Sequence, residues 1–270
     1  MAKLFPEIKM GSSPVIPISE LKEFLEYKYA AYNQPSFIET DPVSIPHQFS
    51  LQQDIEISGF LTATIAWGQR KSILKNANRL MAQMSGKPYD FLMEATKEQI
   101  LRASEFVHRT FNRDDTYYFL KSLRNIYMHH GGLKTVFETA FQKHGNIKSC
   151  LTDFRNLFLS FNPAQRTCRH VSDVARDSSA KRLNMYLRWL VRSDKHGVDF
   201  GLWKAVPASA LYLPLDVHTG NVSRKLQLLQ RKQNDWKAVE EITEKLRIFD
   251  PQDPVKYDFA LFGLGVFEKF

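Results

Sequence analysis

The chain has 270 residues, enough for a sizeable core built as one large domain or as two lobes that share one body. Apolar residues make up 43% and aromatic residues 13%, which excludes a disordered chain, and no run approaches the roughly 20 apolar residues of a membrane span. The formal net charge of +8 favours a polyanionic partner, with nucleic acid as the first candidate, although many soluble proteins are mildly basic.

Apolar residues recur at helical spacing almost throughout the chain, and no alternating strand pattern appears. The predicted fold class is therefore all-α. A link with three prolines at 34–49 and an irregular stretch at 193–214 interrupt the helical pattern, and long irregular stretches are often functional. The predicted helices span residues 19–31, 54–67, 71–84, 97–106, 114–129, 133–143, 147–159, 178–192, 216–229, 234–249 and 253–267.

The positive charge is concentrated in two segments. Residues 162–192 carry seven basic side chains against two acidic ones, and residues 68–80 carry four basic side chains and no acidic one. On the predicted helix at 178–192, Lys181, Arg188 and Arg192 fall nearly opposite a face of leucines. This pattern predicts a basic stripe that meets phosphates, and an ordinary solvated face is the alternative.

Several chemistries lack the residues that they need. Cys150 and Cys168 fit a reducing compartment, and two cysteines are too few for a four-cysteine zinc site or a cysteine-ligated iron–sulfur cluster. Asp216 and His218 are a possible pair of metal ligands, but a third is missing. The HExxH, GxSxG, GxxxxGK[ST] and GxGxxG motifs are absent, as is an N-terminal apolar region of signal-peptide type. We therefore expect a cytoplasmic location, no metal and no cofactor.

One remaining chemistry needs only a lysine and an aspartate. A neutral lysine amine can attack the anomeric carbon of a nucleoside and form a Schiff base with the opened sugar, and surrounding cations favour the neutral amine. A nearby carboxylate can stabilise the oxocarbenium-like sugar. The candidates are Lys181, close to a predicted helix start, and Asp216, a predicted N-cap. Taken alone, each has a simpler interpretation, as a surface lysine and as a helix cap.

Four segments together resemble the helix-hairpin-helix DNA glycosylases. PLDVHTGNVSRKL is similar to their catalytic segment, in which an Asp at a helix start is the catalytic carboxylate, and this Asp corresponds to Asp216. KRLNMYLRWLVR is similar to the helix that carries the Schiff-base lysine in the archaeal 8-oxoguanine glycosylase branch, with Lys181 at the matching position. ATIAWGQRKSILKNANRL resembles the helix–Gln–helix segment near the DNA, with Gln69 as the matching Gln, and DPVKYDFALFGLGVF resembles the closing helix. The chain also resembles an uncharacterised bacterial family related to these glycosylases.

The resemblance implies a two-lobed glycosylase-like fold, with residues 50–210 in a central lobe and residues 1–49 with 211–270 in a second one. Lys181 and Asp216 would lie in the cleft between the lobes. The family's hairpin turn is expected at 173–182, where this chain has serines in place of glycines. The residues expected to contact nucleic acid are Gln69, Arg70, Lys71, Arg188, Arg192 and His218, and the candidates for stacking on a base are Trp67, Trp189 and Trp203.

The function implied by the resemblance is excision of a damaged base that is flipped out of double-stranded DNA, with or without abasic-site lyase activity. Two alternatives stay open at this point. One is a non-catalytic nucleic-acid-binding protein on the same fold. The other is a metal-dependent RNA- or nucleotide-processing enzyme that uses His218 with Asp216.

Overall fold

The computed structural model describes residues 17–270, and within that range the chain forms helices and no β-strand, which confirms the all-α prediction. Residues 1–16 of the predicted second lobe lie outside the described range. None of the described helices is long and apolar enough to cross a lipid bilayer. The α-helices are α1 (Ile18–Tyr32), α2 (Pro35–Thr40), α3 (Gln52–Thr64), α4 (Arg70–Gln83), α5 (Pro88–Glu94), α6 (Lys97–Ala103), α7 (Arg113–His129), α8 (Gly132–His144), α9 (Ile147–Phe158), α10 (Gln165–Cys168), α11 (Lys181–Val191), α12 (Val217–Lys225), α13 (Trp236–Phe249) and α14 (Tyr257–Val266).

Prolines start short helices in the link at 34–49. Pro35 is the first residue of α2, and 3₁₀ turns follow at Pro42–Ser44 and Pro46–Gln48. Proline suits the first position of a helix because the amide hydrogen that it lacks would have no partner there. The link is therefore ordered and packs beside the other helices.

The central helix is α3, which is buried from Asp54 to Thr64 and packs against α11. It brings a carboxylate, Glu56, into the interior, and the structure satisfies both of its oxygens. Oε1 accepts hydrogen bonds from Trp203 Nε1 at 3.0 Å and Gln52 Nε2 at 2.8 Å, and Oε2 accepts one from the Tyr127 hydroxyl at 2.8 Å. Buried polar groups are tolerated when they are paired in this way.

The predicted basic stripe on α11 is wrong, because other parts of the chain bury the helix from Leu183 to Val191. Arg188 is 3% exposed and Arg192 is fully buried. The segment 193–214 folds back along α11, with the Phe200 amide bonded to the Trp189 carbonyl at 2.7 Å. Neither arginine is therefore available for the surface phosphate contact that its helical position predicted.

Carboxylates replace the expected phosphates around both arginines. Asp199, from the folded-back segment, pairs with Arg188 Nε at 3.3 Å and with Arg192 Nη1 at 3.0 Å. Arg188 also pairs with Asp258 of α14, and Arg192 with Asp194 and Asp253 at 2.7 and 2.8 Å. The last helix was predicted to begin at Asp253, but the Asp253 side chain makes no capping hydrogen bond, and α14 begins only at Tyr257 after a 3₁₀ turn.

The last helix, α14, lies between α1 and α12. Its approach to α1 depends on Gly263, because a Cβ at this position would lie 2.2 Å from Tyr32 Cδ2. This close packing fixes the position of α14, whose other residues form one side of the cleft described next.

Candidate active site

A cleft of about 610 Å³ opens where the N-terminal ends of α4, α11 and α12 converge on one side of α14. The segment at 37–42 and the loop that precedes α4 complete its wall. Each of the three helices directs the positive end of its dipole towards this space, which favours a ligand that carries negative charge. Five of the predicted site residues line the cleft, namely Lys181, Asp216, Arg70, Arg188 and His218.

Lys181 is the first residue of α11 and is half-buried in the cleft wall. Its Nζ lies 3.6 Å from the Met185 sulfur and forms no ion pair within the described part of the chain. No carboxylate therefore pairs with the Lys181 amine, and its side chain lines the cleft.

The turn before Lys181 has a left-handed backbone without glycine. Asp177 and Ala180 have φ values of 61° and 47°, and Ala180 is the residue that precedes α11. The Ser178 amide bonds back to the Asp173 carbonyl at 3.1 Å, which closes the turn. A left-handed non-glycine residue costs roughly 1–2 kcal/mol, which the surrounding structure has to offset. Residues 173–182 therefore form a closed turn with Asp177 and Ala180 at its left-handed positions, and its identity as the family's hairpin stays a prediction.

Asp216 is the N-cap of α12, as predicted. Its Oδ1 accepts the Thr219 amide hydrogen at 2.9 Å, and its backbone carbonyl accepts a hydrogen bond from the Asn234 side chain at 2.9 Å. Its Oδ2 has no hydrogen-bond or ion-pair partner within residues 17–270. One oxygen therefore fixes the carboxylate at the helix start, and the other is free to act on a ligand.

Two further carboxylates line the cleft, and sequence reasoning missed both. Burial raises the pKa of Asp258 to about 6, while Arg188 and Lys181 lower it and Asp216 raises it. Burial also raises the pKa of Asp41, whereas the hydrogen bond from the Val43 amide and the positive charges of Arg188 and Lys181 lower it. Both acids are thus within electrostatic range of Lys181. Asp258 is the single acidic residue in the otherwise apolar run YDFALFGLGVF, and this was its only sequence signal.

Aromatic side chains and two further arginines also line the cleft. The Arg70 guanidinium lies 5.3 Å from the ring centre of Phe262, and the Arg182 guanidinium lies 5.0 Å from that of Trp67. Arg182 donates to the carbonyls of Thr64 and His170 and has no carboxylate partner in the described range. Burial lowers the pKa of Arg182 to about 10, so its side chain remains cationic at neutral pH.

The other predicted contacts are distributed around the cleft or away from it. His218, in the first turn of α12, is exposed at the rim. Gln69 and Lys71 are exposed next to the cleft without lining it. Arg192 is buried in its ion pairs with Asp194, Asp199 and Asp253. Among the three tryptophans, only Trp67 lines the cleft, because Trp189 and Trp203 are fully buried elsewhere.

Asp216 and His218 lie close in sequence, but no further ligand joins them. Within residues 17–270, no group of three or more histidine, cysteine, aspartate or glutamate side chains is arranged to hold a metal ion. Cys150 and Cys168 are free thiols, and neither lines the cleft.

Comparison with known protein families places the chain in a family. Residues 41–267 match the family described as "Protein of unknown function (DUF2400)", and the chain belongs to this family. No curated protein and no solved structure matches the chain. The matched region begins at Asp41 and includes all the helices whose N-terminal ends meet at the cleft.

Proposed function

We propose that this member of the DUF2400 family is a DNA base-excision glycosylase with abasic-site lyase chemistry, and that a flipped damaged nucleotide occupies the cleft. The observation that carries the proposal is that Lys181, without an ion pair, and Asp216, with one free carboxylate oxygen, line the same cleft. Helix-hairpin-helix glycosylases, which the sequence resembles, use this pair of residue types.

The size and lining of the cleft suit a nucleoside. Ligand sites of roughly 300–1,000 Å³ with mostly apolar walls and a few polar groups are typical of small-molecule pockets. Trp67 and Phe262 offer rings to a base, and Arg70 and Arg182 offer positive charge to phosphate or carbonyl oxygens. Damaged or mispaired bases cost least to unstack, which favours them as the flipped species.

In the proposed reaction, Lys181 Nζ forms a bond to C1′ while the bond between C1′ and the base nitrogen breaks. The electron pair of that bond leaves with the base, which takes up a proton. The free Oδ2 of Asp216 stabilises the positive charge that develops on the sugar and accepts a proton from the attacking amine. The lone pair of the Lys181 nitrogen then forms an iminium bond to C1′ while the C1′–O4′ bond breaks and O4′ takes up a proton. The iminium ion either is hydrolysed or loses a C2′ proton with elimination of the 3′-phosphate.

The exposed cations beside the cleft favour a second candidate, a nucleic-acid-binding protein without catalysis. Lys71, Lys75 and Arg79 are exposed along α4 and form no ion pair in the described range. Such a surface binds a polyanion whether or not the cleft performs chemistry.

A single-turnover assay on duplexes with oxidised, deaminated or alkylated bases separates these candidates. Glycosylase action predicts alkali-sensitive strand breaks at one lesion class in the presence of EDTA, and their loss in Lys181→Gln and Asp216→Asn. Salt-sensitive binding without breaks on any duplex would support the binding protein instead. Breaks that EDTA abolishes would support metal-dependent chemistry.

A further inference from the structure

A tight turn at His108–Phe111 projects an arginine at the edge of the cleft. The His108 amide bonds to the Phe111 carbonyl at 2.8 Å and the Phe111 amide to the His108 carbonyl at 2.9 Å, so that Arg109 and Thr110 form the tip. Arg109 adopts a left-handed backbone with φ of 54°. Glycine, asparagine and aspartate usually occupy such a position, and an arginine there requires support from its surroundings.

Side chains from three helices, α4, α7 and α10, hold this turn. Arg79 of α4 donates to the Val107 carbonyl at 2.6 Å, and Arg166 donates to the Thr110 carbonyl at 2.8 Å. The His108 ring contacts Asn76 Nδ2 at 2.9 Å and the Trp67 carbonyl at 3.2 Å, and the Thr116 hydroxyl donates to the Phe106 carbonyl at 3.1 Å. The turn is therefore rigidly attached to α4 and to the wall of the cleft.

The Arg109 side chain differs from these anchors because it has no partner. It is exposed, and it forms no hydrogen bond or ion pair within residues 17–270. It lies over Gly68, a residue that lines the cleft: a Cβ on Gly68 would be 2.5 Å from Arg109 Nη1. The missing side chain of Gly68 thus makes room for the guanidinium at the mouth of the cleft.

Arg109 continues a line of positive charge along α4. Lys71, Lys75 and Arg79 are spaced four residues apart, so they share one face of the helix, and α4 contains no acidic residue. The line starts beside Arg70 in the cleft and reaches the turn where Arg79 bonds Val107.

We infer that Arg109 is a phosphate-binding residue, which grips the backbone of a nucleic-acid strand next to the nucleotide in the cleft. This inference rests on the proposed function, since it requires a strand at the cleft mouth. The planar guanidinium fork can bind two oxygens of one phosphate, and a turn fixed on every side loses little freedom when it does so.

The test measures binding of a fluorescent duplex with a stable abasic-site analogue by anisotropy between 50 and 200 mM salt. Arg109→Gly removes the side chain and tolerates the left-handed backbone, and Arg109→Lys keeps the charge without the fork. Lys245→Ala is the matched control, because Lys245 is exposed on α13, which contributes nothing to the cleft. Melting temperatures verify that each variant is folded.

We expect Arg109→Gly to weaken binding about tenfold and to lower the slope of log affinity against log salt by about one unit. Arg109→Lys should retain the slope with intermediate affinity, and Lys245→Ala should match the wild type. If the wild type binds the duplex and Arg109→Gly binds it equally well, the role of Arg109 is overturned and the proposed function stays intact. A wild type that binds no duplex at all would overturn both.

Discussion

The Asp216 carboxylate caps α12 through the Thr219 amide at 2.9 Å and leaves its second oxygen without a partner in the described part of the chain. Capping and catalysis are therefore compatible, since each uses a different oxygen. The cap also supplies what a catalytic carboxylate needs, namely a fixed orientation at the cleft.

The two roles of Asp216 can be separated by substitution. Asparagine caps a helix as well as aspartate does. The free energy of unfolding of Asp216→Asn should therefore lie within about 0.5 kcal/mol of the wild-type value. Its base-excision rate should fall by about 100-fold or more, because the amide carries no charge to stabilise the sugar. Asp216→Ala should lose the same activity and, in addition, about 1 kcal/mol of stability. Urea unfolding and single-turnover kinetics measure both effects, and an active Asp216→Asn protein would reduce Asp216 to a cap.

Arg192 should contribute to stability and not to nucleic-acid binding. Its guanidinium is buried among Asp194, Asp199 and Asp253, so Arg192→Met leaves uncompensated buried charge and should cost about 3–5 kcal/mol. Arg70→Met is the matched comparison, because Arg70 has no carboxylate partner in the described range and should cost less than about 1 kcal/mol. Urea denaturation measures the two values. An Arg192→Met protein of wild-type stability with weakened DNA binding would restore the surface role that the sequence suggested.

Asp258 should make stability depend on pH in a defined window. Burial raises its folded-state pKa to about 6 from a reference value of 3.8, so the folded protein retains a proton that the unfolded chain has lost between these values. The fold favours the protonated form of Asp258, so the stability that this proton contributes is fully present below pH 3.8. It is lost as the pH rises through about 6, where the buried carboxyl group ionises. The wild type should lose up to about 3 kcal/mol relative to Asp258→Asn across this window. Urea titrations at pH 4, 5, 6 and 7 test this, and a difference that stays constant with pH would contradict it.

The sequence predicted those elements that depend on interactions between neighbouring residues. The N-cap at Asp216 and the helix that starts near Lys181 follow from side-chain types over a few residues, and both form. The segment before Lys181 was the harder case, because Ala180 reaches a left-handed backbone without the glycine that would have signalled it. The division into two lobes stays a prediction.

Long-range contacts decided the features that sequence reasoning missed. Arg188 and Arg192 have the spacing of an exposed stripe, and only the return of residues 193–214 brings Asp199 against them. Asp41 and Asp258 are far apart in sequence and meet Lys181 only in the folded chain. Information of this kind is absent from helical periodicity, which describes one element at a time.

Borohydride trapping shows whether Lys181 is the nucleophile. Borohydride reduces the iminium ion between a lysine and the opened sugar to a stable amine, which leaves a covalent protein–DNA adduct. The wild type should give this adduct on an abasic-site duplex or on one lesion class, and Lys181→Gln should give none. Lys245→Gln, at an exposed lysine of α13 that does not line the cleft, should retain it. An adduct that persists in Lys181→Gln, or a wild type that gives no adduct on any of these duplexes, would contradict the account.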